Sequence, residues 1–347
     1  MNKFTNLFKE KPIFLAPMFE VTNLPFRLFC KEQGADASVT EFVSVNQLLY
    51  VYKNNLKSSN AVRFLLQTTE KEKPVGVQLF GFDAIHFAEL GKIFDIHKEG
   101  FDFLDLNIGC PVPKICNIGA GSKLLTDGNI PKLEQILKNI KNSFPDIPFS
   151  IKIRAGYNHY LDFHKFAEMI NSLDLLHVTI HPKLAVNPHK DEPNTANHDL
   201  SKQFIELVDH PVIINGGINS LQMANELMDY TESAGAMIGR QAQKYPWVFN
   251  KNFQESVPVK QYISDLNHFL ELNKSLGFGK LYMVRDQILG MVRGFTGSKQ
   301  KRQDLQGKIE SINDLSEFID TLEKHFEMQT IEEVKNIVPK KKVVVST

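Results

Sequence analysis

The chain has 347 residues, 42% of them hydrophobic and 23% charged, and a formal net charge of zero. This composition excludes a disordered or fibrous chain, and the length suits one large domain plus a smaller one. No apolar run is long enough to span a bilayer, and the N-terminus lacks the apolar core of a signal peptide. Three cysteines without a C-x-x-C give neither a disulfide framework nor a metal site, so a reduced cytoplasmic setting is expected.

Strands and helical patterns alternate through the first three-quarters of the chain. The first strand is Ile13 to Ala16, ended by Pro17-Met18, and Thr22 or Asn23 caps a helix carrying Phe26, Leu28 and Phe29. The second strand is Ala37 to Val39, followed by Thr40-Glu41 and a helix near Ser44 to Tyr50. The third is Val75 to Phe80, with a helix from Asp83. The fourth carries Phe103, Leu104 and Leu106, and a helix spans about Ile130 to Asn142. Phe149 to Ile153 is fifth, followed by a helix over Leu161 to Leu173. Val178 to His181 is sixth, Val212 to Ile214 seventh and Ala236 to Ile238 eighth.

Eight strand-helix units over about 250 residues predict an α/β fold, a (β/α)8 TIM barrel over residues 1–250. A doubly wound sheet is the alternative, but no G-x-G-x-x-G follows the first strand. From Pro258 strand signals stop. Amphipathic patterns over Tyr262 to Leu276, Tyr282 to Phe295 and Leu315 to Phe326 predict a small all-α domain over 258–330, with a frayed tail at 331–347.

The rest of the chain is organised around Phe101 to Leu125. Its strand ends in Asn107-Ile108-Gly109-Cys110-Pro111, and a second Gly-rich turn, Gly119-Ala120-Gly121-Ser122, opens toward a helix that Ser122 is placed to cap. A free cysteine is most often a small buried hydrophobe. Cys110, however, sits in a Gly/Pro turn past the carboxyl end of a strand, where α/β folds place their chemistry. The other strand ends are polar as well: Met18 and Glu20, Glu41, Gln78, Lys152 with Arg154, His181, Asn215 with Gly217, and Gly239 with Arg240.

The segment LNIGCPVPKICNIGAGSKLL resembles the signature of the tRNA-dihydrouridine synthases, flavoenzymes that reduce uridine in tRNA. Further matches follow in order along nearly the whole chain. The resemblance implies FMN as cofactor, NADPH or NADH as reductant and tRNA as partner; the residues themselves lead us to expect no metal and no membrane, and a monomer is expected. It implies Cys110 as the catalytic acid and Pro17, Met18, Gln78, Lys152, His181, Asn215, Gly217, Gly239 and Arg240 as flavin contacts. Backbone N–H groups in the Gly-rich turns near the last two strands suit a phosphate, and amide and cationic partners suit an isoalloxazine edge. Asn107, Lys152 and Arg154 are candidates to position the uracil or stabilise developing charge. Where the family reads His-x-Arg-Thr-Arg, this chain reads His181-Pro182-Lys183-Leu184-Ala185, leaving Lys183 as the cation on the substrate side.

Zero net charge conceals an asymmetry. Between Lys274 and Lys308 eight basic residues face two acidic ones, a local charge of +6. The bland explanation is a solvated helix face; the functional one is a polyanion-binding surface. Arg285 to Arg302 resembles the family's helical tRNA-binding domain, with Gly294-Phe295 and Arg302 at matching places, so Arg285, Arg293 and Arg302 become candidate tRNA contacts. Two other readings compete: a flavin barrel acting on a small pyrimidine or enone, of the dihydroorotate dehydrogenase kind, and a non-catalytic RNA-binding protein. The basic appendage argues against the first. The set of Cys110, Gln78, Lys152 and His181 argues against the second.

Overall fold

A computed structural model of the chain describes residues 3–56, 62–187, 194–253, 256–278, 281–293, 295, 297–327 and 336–337. Gly294, Lys280 and the tail outside 336–337 therefore lie outside the described residues.

Nine strands form the sheet: Ile13–Leu15 (β1), Ala37–Val39 (β2), Val43–Ser44 (β3), Val75–Phe80 (β4), Phe103–Ile108 (β5), Phe149–Gly156 (β6), Val178–Leu184 (β7), Val212–Asn215 (β8) and Gly235–Ile238 (β9). All ladders of this sheet are parallel; apart from it, Val257–Pro258 and Asn336–Ile337 form a two-residue antiparallel pair. β1 pairs with β9 and β2, and β2 pairs with β4, so eight strands close into a barrel with the two-residue β3 added beside β4. This is the expected (β/α)8 architecture.

Side chains alternate along each strand. Leu104, Leu106, Ile108, Ile151, Ile153, Val178 and Ile180 face the outer core under the helices. Phe14, Phe103, Ile213 and Met237 share an inner cluster with Phe4. The helix Ile130–Ser143 shows why the outer layer forms: its buried residues Leu133, Ile136, Leu137 and Ile140 fall on one 3.6-period stripe. Truncating Leu137 to Ala should cost about 2–5 kcal/mol.

β6 and β7 run furthest beyond the expected strands. β6 continues past Ile153 to Gly156, because Arg154 pairs in register with His181. β7 runs through Pro182 to Leu184. A proline is tolerated there because β8 follows β7 only as far as the Ile180–Ile214 pair, leaving an edge beyond it. The helix Lys3–Lys9 was not expected; it buries Phe4 edge-on against Phe103 at 5.8 Å.

The described residues pack as two compact units, one made of 1–24, 35–218 and 222–239, the other of 25–34, 219–221 and those from 240 onward. The second unit thus draws on 25–34 and 219–221 as well as on the residues from Arg240 onward. The turn Pro246–Phe249 joins it because Trp247 meets Phe29 and Tyr262 at 6.1 and 5.3 Å and donates from Nε1 to Asp265. Its helices include Val259–Ser275, Leu281–Met291, Ser298–Lys308 and Ile312–Glu327. The third of these lacks apolar periodicity and was not foreseen. Among the described residues no helix is long and apolar enough to cross a membrane.

Candidate active site

The carboxyl ends of the barrel strands deliver polar side chains to one mouth, and register decides which of them meet. Gln78 stands opposite Asp105, Asn107 opposite Lys152, and Arg154 opposite His181. Gln78 Nε2 donates to Asp105 Oδ2 at 2.7 Å, and Ser150 Oγ donates to Asp105 Oδ1 at 2.6 Å. Asn107 Nδ2 donates to Gln78 Oε1 at 2.9 Å. On its other side Asn107 Oδ1 accepts from the backbone N–H groups of Gly109 and Cys110 at 3.0 and 2.9 Å. Asn107, expected to face substrate, thus holds the cysteine loop.

That loop is pinned from its other end too. The Cys110 carbonyl accepts from Ser122 N at 3.0 Å, Ser122 Oγ at 2.9 Å and Cys116 Sγ at 3.5 Å. Ser122, expected as a helix cap, instead ties down this carbonyl from within the short turn Gly121–Leu125. Gly121, at φ +59°, leaves room for the contact, since a Cβ there would come within 2.7 Å of the Cys110 oxygen. Arg154 Nε donates to the Gly109 carbonyl at 2.8 Å and Nη1 to that of Leu184 at 2.9 Å. Arg154 thereby clamps the loop to the end of β7.

Cys110 is half-buried, whereas Cys30 and Cys116 are buried. Burial pushes the Cys110 thiol above its ordinary value; a backbone hydrogen bond at Val112 and the charge of Arg154 pull the other way. The site therefore favours the protonated thiol over a thiolate. Lys152 Nζ donates to Asn215 Oδ1 at 2.9 Å, and Asn215 Nδ2 to the Met237 carbonyl at 2.8 Å. Burial and the neighbouring Arg154 bring the Lys152 ammonium down to about 8, with Asp105 acting against them. Asp105, 2% exposed, is pushed up to about 6 by burial, while Gln78, Ser150 and Lys152 favour its charged form.

The half-buried ring of His181 lies against Gly216 so closely that a Cβ there would reach 2.6 Å from Cδ2. In front of Gly217 the space is open to 4 Å. Met18 N donates to Thr22 Oγ1 at 3.0 Å, holding the Pro17-Met18 turn, and a Cβ at Gly239 would sit 3.6 Å from Met18 Sδ. Lys183 Nζ lies 3.5 Å from the Asn194 carbonyl. The barrel unit thus gathers Met18, Asn107, Cys110, Lys152, Arg154, His181 and Asn215 around its strand ends, above a buried Gln78. Arg240 opens the helix Arg240–Lys244 of the second unit.

Sequence reasoning passed over Asp105 and Ser150. The available signal was a carboxylate on the inward phase of a strand whose every residue is buried.

In the second unit the basic stretch is less free than its composition suggests. Arg293 Nε donates to the Gly290 carbonyl at 3.1 Å and Arg302 Nη1 to that of Val292 at 2.9 Å. Arg285 meets Asp286 at 3.4 Å, and Lys299 is exposed.

A family model described as dihydrouridine synthase matches residues 14–335. A "Probable tRNA-dihydrouridine synthase" of Helicobacter pylori is 28% identical over 333 residues, covering 94% of this chain and 95% of its own. The "tRNA-dihydrouridine synthase B" of Vibrio cholerae is 30% identical, over 84% of this chain and 81% of its own. That of Escherichia coli is 28% identical, over 91% and 96%. A solved structure of morphinone reductase overlaps 68% of this chain and 84% of its own at a TM-score of 0.46 and 10% identity, too loosely to bear on function.

Proposed function

The chain belongs to the dihydrouridine synthase family, and from that premise we propose that it reduces the C5=C6 bond of uridine in tRNA to 5,6-dihydrouridine, with FMN as cofactor, NADPH or NADH as reductant and the Cys110 thiol as general acid. The observation that carries this reading is the state of Cys110: a half-buried thiol, kept protonated by burial, on a loop held by Asn107, Ser122 and Arg154.

The residues at the mouth fit a flavin mononucleotide. The space before Gly217 suits a phosphate close to the backbone, and the paired Lys152 and Asn215 supply a cation and an amide. Pro17, Met18, Gln78, His181 and Gly239 complete the proposed contact set, and Arg240 follows by its place in the chain after Gly239. When bound, the flavin supplies the hydride that uracil C6 receives.

The protein's part is positional and protonic. As C6 gains hydride, negative charge develops toward C5 and O4. The Cys110 Sγ–H bond breaks, its proton goes to C5, and the thiolate left behind lies near the Arg154 guanidinium that favours it. Lys152, cationic below about 8, lowers the cost of the developing charge. The target base must leave its stack to reach a barrel mouth. Lys183 and the second unit's Arg285, Arg293 and Arg302 are the proposed tRNA contacts, acting on phosphates without specifying sequence.

The test is direct. Denaturing the purified protein should release FMN, identified by chromatography and absorbance. The reduced holoprotein should add two hydrogens to a uridine of unmodified tRNA, detected by mass spectrometry. Folded protein that neither retains nor can be reconstituted with FMN sinks the reading.

A further inference from the structure

A run of hydrogen bonds links the barrel interior to the cysteine loop, and only one polarity satisfies all of it. Ser150 Oγ and Gln78 Nε2 both donate to Asp105, Gln78 Oε1 accepts from Asn107 Nδ2, and Asn107 Oδ1 accepts from Gly109 N and Cys110 N. An ionised carboxylate can only accept, and backbone N–H groups can only donate. With an acceptor fixed at one end and donors at the other, each amide between them has a single allowed orientation. Asp105, Gln78, Asn107 and Ser150 are all buried, so water cannot substitute for a missing partner.

We infer that Asp105 is a positioning residue: its carboxylate sets the amide polarity of Gln78 and Asn107, and through them fixes the backbone of Gly109 and Cys110. This rests on the proposed role of Cys110 as acid and adds to it the group that orients the acid's loop. The charged and hydrogen-bonding groups facing Asp105 are Gln78 from β4 and Ser150 and Lys152 from β6. The deep carboxylate thereby acts on the thiol loop without touching substrate.

Reversing the polarity tests it with side chains of unchanged shape. Asn107→Asp places a second carboxylate at the far end of Gln78, so two acceptors compete for one amide N–H2 group. Asp105→Asn removes the first demand, and in the double variant Gln78 can flip: Nε2 to Asp at 107, Oε1 from Asn at 105. Leaving a buried polar group unsatisfied typically raises an unfolding equilibrium constant by about 10–100-fold. Asn107→Asp should therefore raise it at least about tenfold in urea denaturation, and the double variant should return to within about threefold of Asp105→Asn.

The same cycle in a Gln78→Met background should lose its non-additivity, because the amide that couples the ends is gone. In single-turnover reduction of tRNA, Asn107→Asp should be slower by about 10²-fold at unchanged tRNA affinity, the penalty of a misplaced group. The double variant should regain most of that loss. Additive stability effects, or coupling that persists without Gln78, overturn the assignment. Coupled stability with an unaffected reduction rate overturns the link to Cys110. The stability cycle needs neither flavin nor tRNA, so a parent protein that fails to reduce uridine sinks the proposed function while the cycle still judges the relay.

Discussion

Cys110→Ala is the substitution on which the proposed chemistry turns. Cys110 is half-buried and its loop is held through backbone atoms, by Asn107 at the N–H and by Ser122 at the carbonyl. Removing Sγ leaves those bonds in place, so the variant should fold, retain flavin and accept electrons from NADPH. Losing a positioned general acid slows the step it serves by about 10²–10⁴-fold. That equals about 2.7–5.4 kcal/mol of lost transition-state stabilisation. Cys116→Ala removes two weak sulfur contacts, at 3.5 Å to the Cys110 carbonyl and at 3.5 Å to Ser122 Oγ, and the carbonyl keeps Ser122 N and Oγ at 3.0 and 2.9 Å; the rate should change by about twofold or less. Ser122→Ala deletes the stronger hydroxyl donor, worth about 1 kcal/mol or about fivefold if the loop loosens in proportion. The assay is single turnover: the flavin of each variant is reduced beforehand, unmodified tRNA is added without oxygen, and flavin reoxidation is followed. If Cys110→Ala reoxidises as fast as the parent while Cys116→Ala stalls, the acid is the other cysteine. If both match the parent, the acid is not a cysteine.

Two further predictions concern other parts of the molecule. His177 is 0% exposed among Phe8, Phe14 and Phe103, neither ring nitrogen has a partner among the described residues, and burial lowers its pKa to about 3. Below the unfolded value near 6.5 the unfolded chain binds a proton that the folded chain refuses, so this residue costs stability as pH falls, by about 2 kcal/mol at pH 5 relative to pH 7. His177→Leu should abolish that loss in urea titrations at the two pH values; an equal parent–variant gap at both would show that the ring titrates normally. In the second unit, Arg293 and Arg302 are tied to backbone carbonyls, so Lys299→Glu with Lys301→Glu is the cleaner charge reversal. It should weaken tRNA binding and flatten its salt dependence by about one counterion per lost phosphate contact, without releasing flavin; an unchanged slope moves the RNA surface elsewhere.

The barrel was legible because parallel strands buried on both faces leave short apolar runs that Gly, Pro and polar residues punctuate. Strand ends were less legible. β7 continues through Pro182 only because its neighbour β8 has already stopped, a fact of pairing that no local pattern carries. The helix Ser298–Lys308 escaped notice for a different reason: its core contribution among the described side chains rests on Leu305 and Ser298, too few to make a period.

The site divides along the same line. That Cys110, Lys152, His181 and Asn215 stand at strand ends showed in their residue types and the turns that follow them. The uses of Asn107 and Arg154 did not, because a side chain that reaches substrate and one that clamps a loop need the same hydrogen-bonding groups. Asp105 is the sharper case. It occupies the inward phase of β5 between Phe103 and Asn107, where an unpaired carboxylate would be expensive. That expense implies partners on both adjacent strands, yet Gln78 lies 27 residues before it and Ser150 45 after, and only the register of a closed barrel brings them together. An inward acid in a fully buried strand is therefore a reason to look for its partners on the neighbouring strands, and then for the loop those partners hold.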